Sequence, residues 1–169
     1  EDGAKVLVLY GDVPLIKKET LEDLINSSDE GLSILTTVLK DPYGYGRVKK
    51  DDSGNALAIV EEKDASADEK NIKEIFTGVL CGQKELIEKG LAKLNNNNAA
   101  GEFYLTDLVS IISNNGFKIK TYNASNDEVK GANSKAELAQ LEGIYRAMKA
   151  EELINKGVTV ADPMRIDIR

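Results

Sequence analysis

Residues 4–15 read Ala-Lys-Val-Leu-Val-Leu-Tyr-Gly-Asp-Val-Pro-Leu, and this stretch decides the fold. The apolar run at residues 6–9 predicts a strand buried on both faces, as in a parallel sheet covered by helices. Gly11 ends the strand and lets the backbone approach a ligand, while Pro14 keeps the segment out of a central ladder. Asp12 therefore stands where open α/β sheets bind ligands. It is either a ligand-binding carboxylate or a turn residue that caps the next segment.

Size and composition describe one ordinary globular domain. The 169 residues carry 29 acids against 22 bases, and this net charge of −7 argues against nucleic acid or an anionic membrane surface as a partner. The single cysteine, Cys81, allows no intrachain disulfide, so a cytoplasmic setting is expected. The absence of histidine excludes imidazole base catalysis, His-ligated zinc and Ser-His-Asp chemistry. No apolar run approaches about 18 residues, so no membrane span is predicted.

Hydrophobic periodicity predicts alternating strands and helices. A helix over 17–27 followed by a strand over 32–39 indicates a βαβ unit, in which the first two strands form a parallel pair with a right-handed crossover. The apolar segments on either side of residues 51–55 predict a β-hairpin. Further strands are predicted over 75–81 and 117–122, and further helices over 84–94 and 105–113.

Three loop or strand features have two interpretations each. The glycines around Tyr45 indicate either an ordinary turn or a close backbone approach to a ligand. The acidic cluster at residues 61–64 is either a solvated turn or the source of a carboxylate that accepts hydrogen bonds from a polyhydroxyl ligand. Gly78, inside a predicted strand, indicates a bulge or a nearby ligand.

The last third of the chain predicts one long helix. Ser134 and Glu137 form a capping box at its start, and Gly157 is the expected C′ residue. Two short strands, over 158–160 and 165–168, are predicted after it. Because the chain opens on a core strand and closes on two short strands, we expect a fragment that is cut at both ends.

Six motifs in order make the chain resemble the sugar-1-phosphate nucleotidyltransferases, and among them the bacterial enzymes that join a uridyltransferase to an acetyltransferase. The motifs are Tyr10-Gly11-Asp12-Val13-Pro14-Leu15, Gly44-Tyr45-Gly46-Arg47, Val60-Glu61-Glu62-Lys63-Asp64, Thr77-Gly78, Gly101-Glu102-Phe103-Tyr104-Leu105-Thr106-Asp107 and Gly131-Ala132-Asn133. Each motif is weak alone, but their order and spacing over almost the whole chain are specific.

The resemblance implies a fold and a domain plan. It implies a Rossmann-like nucleotidyltransferase domain, incomplete at its N-terminus, over residues 1–133. A linker helix over 134–157 would lead to the first coil of a left-handed β-helix over 158–169. The full-length protein would be a homotrimer, and acetyl-CoA would bind only in the absent C-terminal domain.

The same resemblance implies an activity and a set of site residues. UTP and N-acetylglucosamine 1-phosphate would react to UDP-N-acetylglucosamine and pyrophosphate, with Mg²⁺ as the cofactor. Tyr10, Gly11 and Asp12 match nucleotide-side contacts, and Asp12 and Asn133 match the protein ligands of the metal. On the sugar side, Gly46 matches a backbone contact and Glu61 a carboxylate that binds hydroxyls.

The sequence also departs from the family pattern. The glycine-rich loop that cradles the triphosphate would lie upstream of Glu1, so we expect negligible transferase activity from the 169 residues alone. Position 76 is Phe where relatives carry an Asn that touches the sugar, and Phe cannot make that hydrogen bond. Phe76 therefore supports an alternative, a non-catalytic protein that binds nucleotide sugars. A metal-dependent glycosyltransferase is disfavoured, because Asp12 has no second Asp in an Asp-x-Asp motif.

Overall fold

The computed structural model describes residues 3–29 and 31–166. Its strands are Lys5–Val8 (β1), Leu32–Val38 (β2), Arg47–Lys50 (β3), Ala56–Val60 (β4), Glu74–Gln83 (β5) and Ile119–Asn123 (β6). Its helices are Lys18–Ser27 (α1), Lys84–Leu91 (α2), Asp107–Asn114 (α3) and Lys135–Asn155 (α4). The strands form one mixed sheet in the order β4-β3-β5-β2-β6, and β1 pairs with β5 outside this path.

The longest strand, β5, lies between β1 and β2 and runs antiparallel to both. β1 and β2 are therefore parallel to each other but not adjacent, and the predicted direct pairing of these two strands is wrong. The local pattern predicts that these segments are strands, but strand order depends on contacts distant in sequence. Among the described strands, the parallel pair is β2 with β6.

β1 is half-buried along its whole length, so its predicted burial on both faces is wrong. Within the described residues, β1 pairs with β5 only, so no described strand lies along the other edge of β1. The residues that follow, Leu9 and Tyr10, are 46% and 48% exposed.

Helices cover both faces of the sheet. Leu32 and Ile34 of β2 contribute to a hydrophobic core that includes residues of α2 and α3. Ser33, between them, points to the other face, where its hydroxyl accepts a hydrogen bond of 2.8 Å from Ser27 of α1. This arrangement confirms the predicted α/β class.

The β3–β4 hairpin forms as predicted. The two strands pair antiparallel around residues 51–55. One carboxylate oxygen of Asp51 accepts the backbone N–H groups of Ser53 at 2.9 Å and Asn55 at 2.8 Å, and Gly54 adopts a φ of +84°. The hairpin was predictable because its turn is stabilised by residues next to it in sequence.

The chain divides into two compact units, of which the first comprises Glu1–Tyr10 and Lys17–Asn126 and the second Gly11–Ile16 and Asp127–Arg169. The sheet belongs to the first unit and α4 to the second. α4 begins after Ser134 and is followed by Gly157 with a φ of +86°, as predicted.

The region after α4 differs from the prediction. Residues 158–160 form no strand, so that prediction is wrong, and Pro163–Arg165 is a short 3-10 helix. A strand needs a ladder partner, and the described part of the second unit offers none to residues 158–160. The predicted strand over 165–168 extends outside the described residues, and the start of a β-helix stays a prediction.

Candidate functional site

Asp12 and Asn133, the predicted metal ligands, belong to the same unit, and their backbone segments meet there. The backbone N–H of Ala132 donates to the carbonyl oxygen of Asp12 at 3.0 Å. A methyl group built on Gly131 would lie 3.4 Å from Oδ2 of Asp12, so the carboxylate lies directly against this turn. Asn133 is the next residue along the chain, and both predicted ligands are exposed. The structure thus brings together the two chain segments that carry these residues, which are far apart in sequence.

The donor types at this turn fit Mg²⁺. This cation takes oxygen ligands and binds through one or two protein carboxylates or amides, with water and phosphate oxygens at its other positions. Asp12 offers a carboxylate and Asn133 an amide oxygen. Within residues 3–29 and 31–166, no group of three or more His, Cys, Asp or Glu side chains is placed to hold a metal ion.

The backbone of Asn133 is held by the first turn of α4. Its N–H donates to Oε2 of Glu137 at 2.8 Å, and the same oxygen accepts the hydroxyl of Ser134 at 3.0 Å. In return, Oγ of Ser134 accepts the N–H of Glu137 at 3.2 Å. The hydrogen bond from Asn133, and then the one from Ser134, lower the pKa of the Glu137 carboxyl. The helix cap therefore fixes the chain next to the predicted ligand.

Gly11 does not need to be a glycine on steric grounds. It is exposed, and a Cβ at this position would meet nothing within 4 Å. Its predicted contact with the nucleotide therefore stays a prediction.

The predicted sugar-side residues come together in the first unit. The backbone N–H of Phe76 donates to the carbonyl oxygen of Gly46 at 2.9 Å. A Cβ on Gly46 would lie 2.6 Å from Cγ2 of Ile59 and 3.4 Å from Oε1 of Glu61. Only glycine therefore fits at position 46 without a shift of its neighbours.

Thr106 completes this group and was not predicted as a site residue. Its hydroxyl donates to Oε1 of Glu61 at 2.8 Å, which orients that carboxylate. The motif at residues 101–107 contains this threonine, but a threonine just before a helix is also an ordinary residue at a helix start, so the motif alone did not indicate a role in the site.

Phe76 is 6% exposed, and its side chain belongs to the hydrophobic core.

The adjacent Glu62 has a different role from Glu61. Its Oε2 lies 2.6 Å from Nη2 of Arg47, whose side chain is 3% exposed. Nη1 of Arg47 donates to the carbonyl of Tyr45, and the N–H of Gly44 donates to Glu62 at 3.2 Å. The hydrogen bond from Arg47 is the main cause of a lowered pKa for the Glu62 carboxyl. The acidic cluster thus divides into a carboxylate that anchors the glycine loop and one that is oriented by Thr106.

The surroundings of Tyr104 are acidic. Burial, followed by the charges of Asp64, Glu102 and Glu61, raises the pKa of the Tyr104 hydroxyl. Burial and then the charge of Asp64 raise the pKa of Asp107. A negative field of this kind favours hydroxyl donors and disfavours a phosphate group.

Tyr10, the predicted nucleotide contact, lies against Gly78 in the bulged part of β5. Gly78 has a φ of +88°, and a Cβ there would lie 2.0 Å from Cε2 of Tyr10. The bulge predicted from Gly78 is confirmed by a shift of the β2–β5 register between Ile34 and Thr36.

The described helices include none that is long and apolar enough to cross a membrane.

No protein-family model matches the chain. Over 166 residues, which are 97% of its length, the chain is 48% identical to the bifunctional protein GlmU of Alcanivorax borkumensis. It is 46% identical over 170 residues to the bifunctional protein GlmU of Methylococcus capsulatus. The chain spans 37% of the length of each of these relatives.

Two solved structures share the fold. One, described as a glucose-1-phosphate thymidylyltransferase from Bacillus anthracis in complex with sucrose, has a TM-score of 0.60 and 15% identity over 96% of this chain and 58% of that chain. The other, CMP:2-keto-3-deoxy-manno-octonic acid synthetase complexed with CTP, has a TM-score of 0.56 and 18% identity over 88% of this chain and 63% of that chain. The likeness confirms the predicted Rossmann-like nucleotidyltransferase fold.

Proposed function

We propose that the chain is a part of the uridyltransferase domain of a bifunctional GlmU protein, because 97% of its length is 48% identical to a segment of such a protein. The reaction is the transfer of a uridylyl group from UTP to N-acetylglucosamine 1-phosphate, which gives UDP-N-acetylglucosamine and pyrophosphate. The observation that supports the proposal most is the hydrogen bond from the Ala132 N–H to the Asp12 carbonyl oxygen, which joins the two segments that contain the proposed metal ligands.

In this proposal Asp12 and Asn133 hold Mg²⁺ through a carboxylate and an amide oxygen. When bound there, Mg²⁺ would supply positive charge that offsets the phosphate charge opposing the attack. Asp12 keeps its place through its backbone contact with Ala132, and Asn133 keeps its place through the cap of α4. Because both segments are held before the ligands bind, little ordering remains to be done when the substrates arrive.

The sugar phosphate binds in this proposal near Gly46 and Glu61. The hydrogen bond from Thr106 occupies one side of Oε1 of Glu61 and orients the carboxylate to accept hydroxyl groups of a sugar. The acidic surroundings at Tyr104 fit the hydroxyl-bearing part of the substrate rather than its phosphate.

The chemical step needs no side-chain base. A phosphate oxygen of the sugar phosphate, already ionised at neutral pH, forms a bond to the α-phosphorus of UTP. The bond from that phosphorus to the bridging oxygen breaks, and pyrophosphate leaves with the electron pair. Catalysis then consists of positioning and charge neutralisation, which a chain without histidine can perform.

In this proposal, several parts of the full-length protein would lie outside this chain. The glycine-rich loop that cradles the triphosphate would come before residue 1. The acetyltransferase, which uses acetyl-CoA to acetylate glucosamine 1-phosphate, and the contacts of a homotrimer would follow residue 169. We therefore expect negligible uridyltransferase activity from the 169 residues alone and cytoplasmic activity from the full-length protein.

The proposal is tested by Mg²⁺ titrations of uridyltransferase activity in the full-length protein. Asp12→Asn and Asn133→Ala should each raise the Mg²⁺ requirement and lower kcat by about 10²-fold or more, because the first replaces a charged carboxylate ligand with a neutral amide and the second removes a ligand. Ser125→Ala, at an exposed position outside the proposed contacts, is the control and should leave the titration unchanged. If both ligand variants titrate like the wild type, the metal assignment is wrong.

Phe76 favours a second candidate, a nucleotide-sugar-binding protein without turnover. Its side chain lies in the core and offers no hydrogen-bonding group to a sugar. Calorimetric titration of the full-length protein with UDP-N-acetylglucosamine, beside a turnover assay, separates the two functions. Binding without turnover would support the second candidate, and turnover would rule it out.

A further inference from the structure

Gly78 lies in an irregular part of β5 where the ladder to β2 changes register. Ile34 pairs with Leu80, and Thr36 pairs with Phe76, so β5 advances four residues while β2 advances two. The extra residues form a bulge, and Gly78 within it has a φ of +88°. Residues other than glycine rarely adopt a positive φ of this size.

The ring of Tyr10 occupies the space that a side chain at position 78 would need. A Cβ built on Gly78 would lie 2.0 Å from Cε2, 2.5 Å from Cδ2 and 2.6 Å from Cζ of Tyr10. Since ordinary carbon contacts are about 3.5–4.0 Å, any residue other than glycine displaces the ring. Tyr10 is 48% exposed, so one part of the ring lies on the bulge and another part is accessible to a ligand.

Thr77 stabilises the bulge from within. Its hydroxyl donates to the carbonyl oxygen of Leu35 at 2.8 Å and accepts the N–H of Val79 at 3.4 Å. The first bond links the bulge to β2, and the second links Thr77 to the backbone of the bulge itself. Thr77 therefore fixes the conformation on which the contact between Gly78 and Tyr10 depends.

We propose that the Thr77–Gly78 bulge is a positioning element for Tyr10, which it holds in one orientation toward the nucleotide half of the substrate. The inference rests on the proposed function, in which Tyr10 contacts the nucleotide. Neither Thr77 nor Gly78 touches the substrate in this account. Their effect comes through Tyr10, because a ring that is ordered before binding loses less conformational freedom when the nucleotide binds.

The test is a kinetic comparison of Gly78→Ala with Gly54→Ala in the full-length protein. Gly54 has a φ of +84°, so both variants carry similar backbone strain, but a Cβ on Gly54 meets nothing within 4 Å. Gly78→Ala should raise the KM for UTP by about 2- to 10-fold, from the ordering cost of one side chain. The KM for the sugar phosphate and kcat should stay close to the wild-type values. Gly54→Ala should leave all three unchanged.

A double-mutant cycle shows whether Gly78 acts through Tyr10. In a Tyr10→Ala background, Gly78→Ala should cause no further rise in the KM for UTP. Additive effects, or an equal rise for Gly54→Ala, would overturn the positioning role. Thr77→Val removes the hydroxyl with little change of volume and should raise the KM for UTP in the same direction. If Gly78→Ala does not fold, wild-type kinetics for Thr77→Val overturn the inference.

The KM values for UTP of these variants distinguish a failure of the positioning role from a failure of the proposed function. If Tyr10→Ala raises the KM for UTP while Gly78→Ala does not, Tyr10 binds the nucleotide but is not positioned by the bulge. If the wild-type protein does not use UTP, or Tyr10→Ala leaves its KM unchanged, the proposed role of Tyr10 fails and the inference fails with it.

Discussion

At the scale of single residues, the neighbouring Glu61 and Glu62 have different partners and therefore different roles. Oε1 of Glu61 accepts a hydrogen bond from Thr106, whereas Glu62 pairs with the buried guanidinium of Arg47. Glu61 directly follows β4, whereas Glu62 lies inside the turn closed by the hydrogen bond of 3.0 Å from the Asp64 N–H to the Glu61 carbonyl oxygen. The sequence alone left both interpretations of this acidic cluster open, because only the fold shows which carboxylate has a cationic partner.

We expect Glu62→Gln to lower the midpoint of thermal unfolding more than Glu61→Gln does. The first change leaves the buried Arg47 without its carboxylate partner, and an unpaired buried charge is strongly unfavourable. Glu61→Gln should instead weaken binding of the sugar phosphate with little change in stability. Thermal unfolding and calorimetric titration of the two matched variants measure both effects, and a larger loss of stability for Glu61→Gln would contradict this assignment.

Gly46→Ala tests the packing of the glycine loop. The added methyl group would lie 2.6 Å from Cγ2 of the buried Ile59, so the variant should lose about 1–3 kcal/mol of unfolding free energy. Gly143→Ala in α4 is the control, because its Cβ meets nothing within 4 Å and alanine favours the helix by about 0.5–1 kcal/mol. Denaturant unfolding compares the two, and an unchanged midpoint for Gly46→Ala would show that the loop is not tightly packed.

At the scale of the element, the start of α4 links helix stability to the proposed metal site. Ser134 and Glu137 exchange hydrogen bonds, and the Glu137 carboxylate also accepts the N–H of Asn133. The capping box was predictable from sequence because its residues lie within one helical turn. The additional bond to Asn133 was not, since it depends on the path of the chain before the helix.

This cap should weaken in acid. The folded-state pKa of Glu137 is lowered by hydrogen bonds from Asn133 and Ser134, so the ionised carboxylate stabilises the cap above the ordinary pKa of the group. That contribution is lost as the pH falls from the ordinary value through the lowered folded-state value. Amide hydrogen exchange at residues 133–137 should therefore show weaker protection in acid, after correction for the intrinsic exchange rate.

Two variants complete the test of the cap. Glu137→Gln should remove most of the pH dependence of protection, and Ser134→Ala should cost about 1 kcal/mol of helix stability at neutral pH. Protection that depends on pH equally in Glu137→Gln and the wild type would mean that another group is responsible.

At the scale of the whole molecule, local features were predictable and long-range ones were not. The hairpin, α4 and the bulge at Gly78 each follow from residues that are close in sequence. The position of β5 between β1 and β2 and the contact of Tyr10 with Gly78 depend on segments tens of residues apart. The pairing of Arg47 with Glu62 connects the two ends of the β3–β4 hairpin. Periodicity carries no information about such pairings. The meeting of the Asp12 and Asn133 segments was expected from family resemblance rather than from periodicity or propensity.

The most direct test of the central claim is paramagnetic broadening by Mn²⁺, which replaces Mg²⁺ in oxygen-ligand sites. With UTP present, Mn²⁺ added to the full-length protein should first broaden the amide resonances of Asp12, Ala132 and Asn133, and Asp12→Asn should weaken this effect at the same Mn²⁺ concentration. Broadening centred on the acidic residues around Tyr104, with the resonances of residues 12 and 131–133 unaffected, would contradict the claim that Asp12 and Asn133 hold the cation.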